Sequence, residues 1–165
     1  MIANFRVLRR HEPASQTQGL IQAQLPTTWG APDFTRTRLA ETRGNDEIFL
    51  VPTSGGLCIA STSNLEKGCA QAILADQGQL GAAVTCSSGS GPRPNEIFGA
   101  LPDDATHPTL VYANGARRPV DVTNNVYVIR VPPSDPLPTG VTFLLNGRVM
   151  QHALGAAKDV RVACR

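Results

Sequence analysis

The sequence predicts a mainly β domain: a small antiparallel β-sandwich or barrel with one short helix over about residues 64–77 and an extended N-terminal segment. Three observations lead there. From residue 36 onward short apolar runs recur, each bounded by Gly, Pro, Asn or Asp, which is the pattern of an all-β fold. Two Asn-Gly dipeptides, Asn114-Gly115 and Asn146-Gly147, sit between such runs, and Asn-Gly suits a two-residue type I′ hairpin because both central residues take positive φ. Gly and Pro together make up about 17% of the 165 residues against a usual ~12%, favouring turns over long helices. This length suits one domain, residues 1–165, with a loop-rich segment over 1–35 and a β-rich core over 36–165.

Residues 1–12 can form a short helix or strand anchored by Phe5, Val7 and Leu8. Residues 13–34 hold no sustained period of 2 or 3.6 and read as loop, with Trp29 as a plug against the core. The first strand pair is RTRLAET with EIFLVP, joined at 43–46. Ile48, Phe49, Leu50 and Val51 alternate too weakly for a half-exposed strand, so both faces are expected to be buried. GLCIAS (56–61) is the next strand and carries Cys58. Ser63 and Glu66 form a capping box. Behind it Leu65, Cys69, Ala72 and Ile73 fall on one helical face, and Gly78 closes the helix. Cys58 then points from its strand towards Cys69 on that face; a bond there would stabilise by about 2–3 kcal/mol on the chain-entropy model.

Strands resume at 82–86 and 96–100. Asn114-Gly115 joins TLVYA to ARRPVDV, and Asn146-Gly147 joins VTFLL to RVMQHA. Counting outwards from the second turn pairs Leu145 with Arg148, Leu144 with Val149, Phe143 with Met150 and Val141 with His152, which puts Val141, Phe143 and Met150 on one core-facing side. Between the hairpins, Val126 and Val128 alternate against Tyr127, Ile129 and Val131. A Pro-rich crossover at 132–138 follows.

Charge and cysteines bound the function. Fifteen Lys and Arg against thirteen Asp and Glu give +2, and the densest cluster, Arg6, Arg9 and Arg10, is too sparse for a face that neutralises several phosphates, so nucleic acid is not an expected partner. The longest apolar runs fall far short of the ~18 residues of a membrane-spanning helix. Cys58, Cys69, Cys86 and Cys164 lack the close pairs of a zinc site, which leaves disulfides or free thiols and, with disulfides, an oxidising compartment. No secretion signal is visible at the start of the chain, so export implies a leader, with or without an anchor, replaced by Met1.

No nucleophile, metal or cofactor motif is present, and no cofactor is expected. Asp103, Asp104 and His107 lie within five residues and could serve a hydrolase or hold a cation, because carboxylates orient imidazole; the same letters spell a turn, with Asp capping local N–H groups. His152 reads as a partly buried strand histidine and His11 as solvated. Thr53 to Gly56 and Ser87 to Gly91 could cradle an anion with backbone N–H groups, though ordinary loops explain them. Tyr112, Arg117 and Arg118 form a candidate recognition patch, or a charged edge that discourages strand addition.

Four blocks, FRVLRR (5–10), FLVPTSGGLCIA (49–60), GCA (68–70) and FGALPDDATHPTLVYANGARRPVDVTNNVYV (98–128), resemble in type and order a family of uncharacterised exported or membrane-anchored actinobacterial proteins. That resemblance implies an extracytoplasmic location, secreted or attached to the cell envelope, and supports pairing Cys58 with Cys69. Cys86 and Cys164 lie outside the blocks. The resulting expectation is a non-catalytic binding or structural module that meets a protein or a cell-envelope polymer. The alternatives are a small exported enzyme built on Asp103, Asp104 and His107, and a structural component of a larger assembly.

Overall fold

The computed structural model describes residues 4–11, 30–62, 67–80, 83–86, 94–132 and 134–154. It is mainly β. The strands are β1 (Arg38–Arg43), β2 (Asp46–Pro52), β3 (Gly56–Ser61), β4 (Lys67–Gln71), β5 (Ala83–Cys86), β6 (Pro94–Ala100), β7 (Ala105–Tyr112), β8 (Arg117–Pro119), β9 (Val126–Arg130), β10 (Pro138–Leu145) and β11 (Arg148–Ala153). They form three antiparallel sheets, ordered β1-β2-β3-β4, β5-β6-β9 and β11-β10-β7-β8.

Side-chain alternation stacks these sheets. Successive residues of a strand point to opposite faces, and in β6 and β9 both faces are buried. Phe98, Ala100, Val126 and Val128 join Ala40, Ile48, Leu50, Leu57 and Ile59 of the first sheet in one core. Ile97, Tyr127 and Ile129 point the other way and join Leu110, Tyr112, Val141 and Phe143 in a second. The three-stranded sheet is therefore the middle layer. The first sheet is also buried on its far side, where Phe49, Val51, Cys58 and Ala60 pack with Phe34, Leu39 and Cys69. That explains the weak alternation of β2, whose Ile48 to Pro52 are all buried.

The structure replaces the middle of the expected helix with a strand and keeps a short helix behind it. Lys67–Gln71 is β4, and α1 (Ala72–Asp76) is little more than one turn. The capping box at 63–66 lies outside the described residues. Cys69 stands directly opposite Cys58 in the β3–β4 ladder, with the two bonded and their Cα atoms 4.1 Å apart, as in the closer, non-hydrogen-bonded kind of antiparallel pair. Ladder pairing and burial on both faces here outweigh a local 3.6 period. Ile73, expected inside, is 65% exposed, while Ala75 takes the inward position. Gly78 does end α1, its N–H donating to the Ala75 carbonyl. Cys164 lies outside the described residues, and only the backbone of Cys86 is described.

The β10–β11 register matches the sequence count pair for pair, from Leu145–Arg148 to Val141–His152. Asn146 (φ 51) and Gly147 (φ 74) supply the two positive φ angles of the turn. The N-terminal anchors Phe5, Val7 and Leu8 are buried, on a short 3-10 turn over Arg6–Arg9. Buried Arg38 ties this segment down: its guanidinium donates to the carbonyls of Arg10, Thr35 and Thr37 at 2.6–2.9 Å.

Candidate functional site

Each sheet ends on one side in an edge strand, β1, β9 and β8 respectively, and all three edges border one cleft of about 290 Å³. Its apolar lining comes from Leu110, Val120, Val126, Val128 and Ile129, and its polar rim from Glu41, Arg43, Tyr112, Arg118, Asp121 and Arg130. Arg118 lies over the Tyr112 ring, 5.4 Å from the ring centre, a cation–π contact that holds the guanidinium above the cleft. Its pairing with Asp135, at 3.6 Å with Arg118 62% exposed, contributes little in water. Glu96 bridges Arg43 (3.7 Å) and Arg130 (3.1 Å), which links the first and middle sheets at the rim. Of the expected recognition patch, the structure thus brings Tyr112 and Arg118 to the cleft. Arg117 is exposed on β8 and is not part of the lining.

A turn that the sequence reading passed over shapes the floor. Asn124 (φ 48) and Asn125 (φ 70) are the central residues of a two-residue turn, with Thr123 and Val126 exchanging both N–H···O bonds at 2.8 Å. Adjacent Asn residues were the available signal, since Asn tolerates positive φ. Asn124 donates to the Ala40 carbonyl of β1. Asn125 is buried; it donates to the Leu101 carbonyl and the Asp103 carboxylate and accepts from the Val7 N–H.

Asp103 and Asp104 do stand in the turn between β6 and β7, closed by Ala105 N–H to Pro102 O. The Asp103 carboxylate caps nothing local. It accepts from the Arg6 N–H at 2.8 Å, from the Arg9 guanidinium at 2.8 Å and from Asn125 at 2.9 Å. Partial burial alone would raise its pKa; the hydrogen bonds from Asn125, Arg6 and Arg9, with the Arg9 charge, more than offset this and hold it below the usual carboxylate value. Asp104 is exposed, and His107, expected in the turn, stands exposed within β7 at φ 53, beside a bulge in the β7–β10 ladder. Among the described residues no group of three or more His, Cys, Asp or Glu could hold a metal ion.

His152, expected partly buried on its strand, is buried there; burial pushes its pKa down, and its Nδ1 has no hydrogen-bond partner. The Tyr127 hydroxyl is likewise buried without one, and burial pushes its pKa well up. His11 is exposed. The Thr53–Gly56 segment is an ordinary hairpin closure, with the Thr53 N–H donating to Gly56 O and the Ser54 N–H to Ala31 O, so these two donors are already committed. A second cavity, of about 310 Å³, lies beside it and is lined in part by Asp33, Arg36, Thr53 and Ser54. Trp29 and Ser87 to Gly91 lie outside the described residues. Among the described residues no helix is long and apolar enough to cross a membrane. No family model, curated protein or solved structure matches the chain.

Proposed function

We propose that this chain is a non-catalytic, extracytoplasmic binding module, and that the cleft bordered by β1, β8 and β9 is its binding surface. The observation that carries the reading is the cleft itself. It sets largely buried apolar residues beneath a predominantly polar rim, with one cation held over an aromatic ring, and so offers a ligand a small set of oriented polar groups. The Cys58–Cys69 bond fits an oxidising compartment and supports the location, as does the resemblance to exported actinobacterial proteins. The engagement of Asp103 with the N-terminal segment supports a structural rather than catalytic use of that carboxylate.

The test is a binding screen of the intact, oxidised protein against envelope polysaccharides and peptides, repeated with the exposed rim variants Arg118→Glu and Arg118→Ala. Ligands lost with both variants while the melting temperature holds are the expected result. Ligands retained by both variants would move the binding surface elsewhere. Turnover of any hydrolase substrate, abolished by Asp104→Asn or His107→Ala, would overturn the non-catalytic reading.

A further inference from the structure

The Cys58–Cys69 bond closes a single rung of a ladder that other pairs also hold. The two cysteines are Cα partners in the β3–β4 register, and four further pairs flank them, from Ala60 with Lys67 to Gly56 with Gln71. Behind β4 the chain is fixed again, since the Ala72 N–H donates to the Gly55 carbonyl and Ala75 is buried in the first core. A disulfide stabilises mainly by closing a loop in the unfolded chain, and this loop is short, with the cysteines 11 positions apart. Cutting the bond leaves the flanking pairs in place. The two sulfurs also differ in access. Cys58 stands on an inner strand with no exposed surface, among Phe49, Val51 and Ala60. Cys69 stands on β4, the last strand of its sheet, and is only partly buried.

We propose that Cys58–Cys69 is a redox latch on edge strand β4, opened and closed in the folded protein by exchange with a dithiol that attacks Cys69. Exchange depends on which sulfur an attacking thiolate reaches, and exposed disulfides are the exchangeable ones. A thiolate of the dithiol bonds to the Cys69 Sγ; the S–S bond breaks, and Cys58 leaves as a thiolate that takes up a proton, because apolar surroundings disfavour its charge. The second thiol of the reductant then attacks the mixed disulfide, releases Cys69 as a thiol and carries the new disulfide away. Two electrons and two protons pass from the dithiol to the protein, and an oxidised dithiol reverses the step. The oxidised and reduced chains share one fold, but the reduced one holds β4 by ladder bonds alone. The loosening reaches the second cavity, because the ladder ends at Gly56 with Gln71, and Gly56 and Ala72 both line that cavity. The latch is separate from the cleft, which neither cysteine lines, and it stands whether or not the cleft takes a ligand.

The experiment titrates the full chain with dithiothreitol in the absence of denaturant, locates thiols by alkylation and peptide mass spectrometry, and follows amide hydrogen exchange. Both cysteines are expected to become reduced while the circular dichroism stays that of the oxidised chain. Amides of β4 then exchange at least about tenfold faster, those of β2 are unchanged, and oxidised dithiothreitol restores the slow rates. The double variant Cys58→Ala, Cys69→Ala should fold and show the same fast β4 exchange without any reductant. Brief treatment with glutathione, quenched with acid, should leave the mixed disulfide on Cys69. A bond that resists the dithiol until denaturant unfolds the chain overturns the latch. So does reduction that melts β2 together with β4, which would make the bond a structural staple. A mixed disulfide found on Cys58 overturns the assignment of the attacked sulfur.

Discussion

Two hairpins of one sheet carry the same dipeptide and end differently. At Asn146-Gly147 both residues have positive φ, the loop is two residues long, and six cross-strand pairs follow from Leu145–Arg148 to Gly140–Ala153. At Asn114-Gly115 only Gly115 (φ 80) is positive; the Gly115 N–H donates to Tyr112 O and the Tyr112 N–H to Ala116 O, which makes a three-residue loop. This corrects the expected type I′ turn to a type I turn followed by a left-handed glycine. Asn114 instead accepts from the Ala116 N–H through its side chain. The ladder beyond it has three pairs and stops at Pro119, which has no N–H to donate and is tolerated at an edge. The dipeptide marks a reversal in both places; the strands it joins decide which one. The long hairpin seals the second core, and the short one leaves an edge beside the cleft.

The largest test of that contrast is Phe143→Ala in β10. Phe143 is 2% exposed in the second core, so its truncation should cost about 3–5 kcal/mol in denaturant unfolding. A cost below ~1 kcal/mol would mean that β10–β11 is not the sealing element. Next comes the pair Asn146→Ala and Asn114→Ala. The first forces Ala into positive φ, a cost of about 1–2 kcal/mol. The second removes one exposed hydrogen bond, worth about 0.5–1.5 kcal/mol. Equal melting temperatures for the two variants would erase the distinction between the turns.

A pH titration tests the buried end of β11. Burial keeps His152 neutral in the folded chain, while the unfolded chain binds its proton near the ordinary value of ~6.5. As pH falls below that value the unfolded state binds more protons, so stability falls; it levels once the folded imidazole also protonates. His152→Phe should flatten the melting temperature between about pH 7 and pH 5 relative to the parent chain, and an unchanged slope would assign the effect to another group. The smallest effect belongs to the edge. Arg118→Ala removes an exposed ion pair and should change stability by no more than ~1 kcal/mol. A larger loss would make Arg118 part of the framework rather than the cleft's free rim.

The strands were legible because their signals are local. Period-2 alternation and bounding Gly, Pro and Asn residues marked ten of the described strands or their neighbourhoods, and the Asn146-Gly147 count set a whole register. β4 was the exception, because Gly68, Cys69 and Ala70 fit a helical face as well as a strand, and only pairing with β3 separates the two. Of the candidate site, Tyr112 and Arg118 were visible as an aromatic and a cation on one hairpin. Arg43, Glu96 and Arg130 were not, because no sequence period joins three strands of two sheets.

By itself, then, the sequence determined the β class, the buried nature of β2 and the β10–β11 register, all of which follow from side-chain period or turn chemistry; the cysteine pair at 58 and 69 was expected with Cys69 on a helix, and the β3–β4 ladder is what brings the two together. Tertiary structure alone decided which face of β9 joins which core, that Asp103 holds residues 6 and 9 across a separation of more than ninety positions, and that three edges meet at one cleft. Backbone pairing and burial select among locally equivalent conformations by contacts between distant residues, and those contacts exist only once the layers have stacked.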